Sequence, residues 1–88
     1  MKHETHPGIA KRLKRAQGHL KSIIEMLETE RGCLEIAQQL QAVEKAITNA
    51  KKALIHDHID HCLEHTVHDG AYSSDETIRE FKEITKYL

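Results

Sequence analysis

Residues 31–67 read RGCLEIAQQLQAVEKAITNAKKALIHDHIDHCLEHTV. Apolar residues recur at Cys33, Ile36, Leu40, Val43, Ile47, Ala50 and Leu54, alternating steps of three and four. That is the period of a helix with one buried seam. The stretch predicts a single long helix, and Cys33, His58 and Cys62 fall on or beside its seam. From Cys33 to His58 is 25 residues, roughly 37 Å at 1.5 Å per residue. They cannot meet on one straight helix. Two copies packed antiparallel can bring Cys33 of one chain to His58 and Cys62 of the other. The midpoint falls near Ala46 and Ile47, and a two-fold axis there creates two equivalent sites per dimer.

Upstream, Pro7 to Glu28 predicts a first helix with Ile9, Leu13, Ala16, Leu20, Ile23, Ile24 and Leu27 on its seam. Thr5 or His6 is placed to cap it, with Pro7 in its first turn. Gly18 interrupts it, at about 1 kcal/mol relative to alanine, and offers a point of close approach for a backbone or a phosphate. Thr29–Gly32 is a short turn. Downstream, Val67–Ser74 reads as a loop. Ser73 to Glu76 has the form of a capping box, and a third helix is expected over Asp75–Tyr87 with Ile78, Phe81, Ile84 and Leu88 on one side. Asn49 is a mid-helix amide of the kind that fixes register. Residues 1–88 are read as one domain with a flexible arm over 1–6.

Ala, Leu, Ile, Glu and Lys dominate, with no Trp and one Phe, a composition that favours helix over strand. A chain of 88 residues buries only a modest core, so oligomerisation is expected to help. No run approaches the length of a membrane span. The first ten residues lack the apolar core of a signal peptide. A cytosolic protein is expected, where two cysteines point to metal binding or redox sensing rather than a structural disulfide.

The net charge of −1 hides an asymmetry. Residues 1–27 balance to +4, 28–52 to zero and 53–88 to −5. Lys11, Arg12, Lys14, Arg15 and Lys21 follow one another with no acid between residues 5 and 24. An ordinary solvated face mixes both signs. A one-signed stripe is the footprint of phosphate binding.

His58 and Cys62 stand one helical turn apart, where a thiolate and an imidazole can chelate one ion. A buried Cys is commonly just a small hydrophobe; Cys33 in register on an antiparallel partner gives the pair a third ligand. His61 and His65 form a rival pair, and His3 and His6 in the arm are candidate fourth ligands. His56 and His68 read as solvent-exposed. No Gly-rich phosphate loop or HExxH motif is present, and the chain is not expected to be an enzyme.

Residues 12–18 (RLKRAQG), Cys33, 38–43 (QQLQAV), Asn49 and the His58-x-x-x-Cys62 pair together resemble the CsoR/RcnR family of bacterial repressors, over roughly residues 6–65. The resemblance implies an all-α, three-helix protomer, an antiparallel dimer built on the first two helices, and a dimer of dimers. It implies binding to operator DNA in the apo form and release when an effector binds. Cys33, His58 and Cys62 would be the metal ligands. Lys11, Arg12, Lys14 and Arg15 would contact DNA, with Lys45 and Lys52 as additions. Cys, His, Cys is the pattern of the family's Cu(I) sensors, and three soft ligands suit Cu(I). Its nickel sensors add an N-terminal nitrogen, which His3 or His6 can supply. The wording around the site favours Ni(II), with Cu(I) as the alternative. The persulfide branch usually lacks the histidine that stands here as His58, and the formaldehyde branch needs a proline where this chain has Lys2. Outside the family, a metal-buffering helical protein and a bare structural bundle are the rival readings.

Overall fold

A computed structural model describes the backbone of residues 5–68 and 75–88 and, within these, all side chains except those of 62–68, 75 and 77. The chain order is α1 (His6–Glu28), α2 (Cys33–His68) and α3 (Asp75–Thr85). No strand occurs among the described residues. The helical ends differ from expectation by one or two residues. Thr5 is the N-cap of α1, but its side chain makes no capping bond, and Pro7 lies in the first turn. The loop expected from Val67 starts later, because Val67 and His68 continue α2; the rest of it, with Ser73 of the expected capping box, lies outside the described residues. The last turn, to Leu88, is held by Lys86, Tyr87 and Leu88 N–H groups on the carbonyls of Glu83, Ile84 and Thr85.

The turn between α1 and α2 closes by backbone chemistry. Arg31 N–H donates to the Met26 carbonyl at 2.9 Å and Glu30 N–H to that of Leu27 at 3.3 Å. This Schellman pattern requires a left-handed residue just past the helix, and Glu30 takes it at φ 57°. α2 then starts from the Gly32 carbonyl, which accepts from Ile36 N–H at 3.1 Å. Glu35, paired with Arg31, lies in its first turn, where a negative charge complements the helix dipole.

α1 and α2 pack as an antiparallel hairpin. All but one of the buried residues step by seven: Ile9, Ala16 and Ile23 on α1, and Ile36, Val43, Ala50 and Asp57 on α2; Ile55, 2% exposed, lies off this row. Ala16, Ile23, Ile36 and Val43 form one cluster, with Met26 against it. Burial of each larger apolar side chain stabilises by roughly 1.5–3 kcal/mol. His19 Nε2 meets Gln39 Oε1 at 2.6 Å between the helices and pins their register.

The expected single seam is in fact two rows. A 3,4 spacing paints a stripe two residues wide, and α1, lying to one side, covers only one of them. The other row stays open: Leu13, Leu20, Leu40, Ile47 and Leu54 are each 38–44% exposed, and Cys33 is exposed on the same row. The protomer measures 59 × 23 × 14 Å. Its thinnest dimension is little more than one helix diameter. A layer this thin has no inside for the second row.

α1 has 23 residues and α2 has 36, so α2 is longer by roughly 20 Å. α3 packs back on α2.

Candidate functional site

α2 is one helix from Cys33 to His68. Cys33 therefore stands at one end, exposed, and His58 and Cys62 near the other, roughly 37 and 43 Å away along the axis. Among the described residues of one protomer no three His, Cys, Asp or Glu side chains gather to hold a metal ion. The protomer alone does not bring the three expected ligands together. His58 is half-buried, and its Nε2 lies 3.4 Å from Glu80 Oε1 on α3. A carboxylate on the far side of an imidazole fixes the ring's orientation. The Cys62 and His65 side chains and all of His3 lie outside the described residues.

His6 begins α1 beside the far end of α2, the end that carries His58. Its Nε2 is 4.0 Å from Asp57 Oδ2. His61, one turn on from Asp57, places Nε2 3.5 Å from the other carboxylate oxygen. Asp57 itself is buried, at 9% exposure. Sequence reasoning left Asp57 unassigned. The signal was there: Ile36, Val43, Ala50 and Asp57 step by seven, which places a carboxylate on the row that faces α1.

Lys11, Arg12, Lys14, Arg15 and Lys21 are all exposed. Lys11, Lys14 and Lys21 each lie two residues from a member of the buried row, about 160° from it on the helical wheel. They face away from α2. Lys45 and Lys52, also exposed, bear the same relation to Val43 and Ala50, so they face away from α1. Within one protomer the two basic groups are thus on opposite sides, and only the α1 group forms a stripe. Gly18 lies in that stripe, and a Cβ added there meets nothing within 4 Å. With Lys14, Gln17, Leu20, Lys21 and Ile24 it lines a shallow hollow. Asn49 is exposed on the protomer.

A donor set of two thiolates and an imidazole, with further nitrogen nearby, fits a soft or borderline transition metal better than Mg²⁺ or Ca²⁺. No helix among the described residues is long and apolar enough to cross a membrane.

Comparison with known proteins agrees with this chemistry. The family model described as metal-sensitive transcriptional repressor matches residues 5–87. The copper-sensing transcriptional repressor CsoR of Mycobacterium ulcerans is 41% identical over 59 residues, 67% of this chain and 50% of that protein. CsoR of Bacillus subtilis is 36% identical over 80 residues, 89% of this chain and 79% of that protein. Among solved structures, the nickel-responsive transcriptional regulator InrS matches with a TM-score of 0.82 at 25% identity, over 100% of this chain and 98% of that one. The match thus spans about half the length of the mycobacterial relative and most of the Bacillus one.

Proposed function

Because the chain belongs to the metal-sensitive transcriptional repressor family, we propose that it binds operator DNA as an apo oligomer and leaves it when a transition metal binds between subunits. The observation that carries this is the unbroken α2. It keeps Cys33 away from His58 and Cys62 while leaving an apolar row uncovered beside Cys33. An antiparallel partner answers both at once: it covers Leu40, Ile47 and Leu54, and it sets its Cys33 against His58 and Cys62. The oligomer is a dimer of such hairpins, paired into a dimer of dimers. It works in the cytoplasm, where the thiols stay reduced, and it is not an enzyme.

Cys33 of one protomer with His58 and Cys62 of the other hold the ion, and Glu80 orients the His58 ring. The bound metal supplies a crosslink between the two protomers. Ni(II) is the proposed effector, with an N-terminal nitrogen completing the set. His3 takes that role, because His6 faces Asp57. Cu(I) is the second reading, favoured by the copper-sensing relatives and by the sufficiency of three soft donors. Lys11, Arg12, Lys14 and Arg15 contact the phosphates, with Lys45 and Lys52 reaching DNA from other faces of the assembly. Arg12 and Arg15 can each grip a phosphate through two N–H groups.

The test is binding of apo protein to DNA upstream of its own operon at low salt, then addition of Ni(II) or Cu(I) without oxygen. A shift that either metal reverses is expected. Thiolate charge-transfer bands should disappear in Cys33→Ala and in Cys62→Ala. Apo protein that leaves this DNA unshifted would refute the repressor reading; tight metal binding without any DNA binding would favour a metal buffer. An Ni(II) affinity that survives His3→Ala would move the assignment to Cu(I).

A further inference from the structure

The row of α2 that faces α1 is apolar at Ile36, Val43 and Ala50 and ends in a carboxylate, Asp57. A carboxylate on a buried row costs several kcal/mol unless charged or polar partners answer it. Here both helices supply one. His6, the first residue of α1, brings Nε2 to 4.0 Å from one oxygen, and His61 of α2 brings Nε2 to 3.5 Å from the other.

We propose that Asp57 is a positioning residue: it ties the start of the basic helix α1, through His6, to the ligand-bearing end of α2, and metal occupancy reaches the DNA stripe through that tie. The inference rests on the repressor reading above. Covalent order makes the tie responsive. Asp57 is bonded to His58, and His61 to Cys62, so a change in this turn when His58 and Cys62 close on an ion moves both halves of the grip. At the other end, Arg12 lies roughly 9 Å along α1 from His6, and Arg15 roughly 14 Å. Thr5, Gly8, Ile9 and Arg12 line one hollow with Ala53, a turn before Asp57. A helix is stiff over this length. A shift of its first residue is therefore carried to the cations rather than absorbed.

The test compares wild type, Asp57→Asn, His6→Ala and the double variant as full-length protein. DNA affinity is measured by fluorescence anisotropy, apo and at saturating metal, so that weaker metal binding alone does not move the ratio of the two. The charge-transfer spectrum reports coordination, and circular dichroism reports folding. A coupling of about 1–3 kcal/mol corresponds to a wild-type ratio of roughly 5–150. Asp57→Asn should keep the wild-type spectrum and apo affinity while the ratio falls at least about fivefold. His6→Ala should lower the ratio as far, and the double variant no further. An undiminished ratio in the single variants overturns the proposal. So does a double variant that loses the sum of both, or a changed metal spectrum in His6→Ala, which would make His6 a donor to the ion. If Asp57→Asn does not fold, His6→Ala at the exposed start of α1 decides alone. Wild-type protein that binds DNA equally well with and without metal removes the repressor reading and the tie together.

Discussion

Ile47→Glu should dissociate the protein into hairpins and abolish tight metal binding with the same substitution. Ile47 sits on the uncovered row at the proposed two-fold axis, so it meets its own copy. Leu13, Leu20, Leu40, Ile47 and Leu54, each about two-fifths exposed, together leave the equivalent of about two whole side chains to bury. At 1.5–3 kcal/mol for a full side chain, that is roughly 3–6 kcal/mol per protomer, doubled by symmetry. Association costs at least about 4 kcal/mol in lost freedom, so the surplus is modest. Two facing carboxylates at the centre remove two of the contributing side chains and add a like-charge contact. A residue exposed at 42% in the hairpin can carry this change without damage to the hairpin's own core. Light scattering after size exclusion should show loss of the oligomer at micromolar concentration. A competition titration should show metal affinity reduced by orders of magnitude, because Cys33 no longer stands near a second chain. An Ile47→Glu protein of unchanged mass would refute the antiparallel pairing, and an unchanged metal affinity in the monomer would refute the shared site.

Three further substitutions separate the hairpin from its surfaces. Ile23→Ala, in the core at 2% exposure, should lower stability by about 2–5 kcal/mol, read by urea denaturation at fixed protein concentration; a loss under 1 kcal/mol would mean the hairpin core is misplaced. Glu30→Gly should raise stability by about 1 kcal/mol, because glycine takes positive φ without strain; a decrease in the denaturation midpoint would contradict the Schellman turn. Gly18→Ala should gain about 1 kcal/mol in helix stability yet weaken apo DNA binding several-fold if the backbone there meets a phosphate. Unchanged DNA affinity would leave Gly18 outside the contact.

Much of this molecule is legible as period and spacing. The 3,4 pattern from Cys33 to Leu54 gives α2, and the span from Cys33 to His58 already forbids a site within one helix. What periodicity does not carry is which neighbour each row meets. Ile36 and Leu40 look equivalent in sequence, yet one packs on α1 and the other is left 44% exposed. That distinction depends on where α1 lies across α2, which is set by the turn at Glu30 and by pairs such as His19 with Gln39. Neither is a strong local signal: Glu is an uncommon left-handed residue, and a lone His or Gln on a helix predicts no partner. Asp57 was hidden for a related reason. A search for apolar period skips a carboxylate, although its position on the seven-residue step places it on the buried row. His6, read from sequence as part of a loose arm and a candidate ligand, begins α1 in the structure and meets Asp57 there.

The two rows also give the proposed function a physical basis in so thin a protein. If both rows were satisfied within the hairpin, a metal bound to α2 would report only on α2. Here the inner row fixes α1 on α2, and the outer row is left exposed on the hairpin. Cys33 lies on the outer row at one end of α2, while Asp57 closes the inner row at the other. On the proposed function, a metal held by Cys33 of one chain and His58 and Cys62 of the next would act on both rows: across the dimer through the thiolate, and down into the hairpin beside Asp57. The basic stripe, on the face of α1 turned away from α2, moves as one piece with that helix. On the proposed reading, strict alternation of an apolar pattern, interrupted by one carboxylate at its end, is thus the physical link between the metal ligands and the basic stripe.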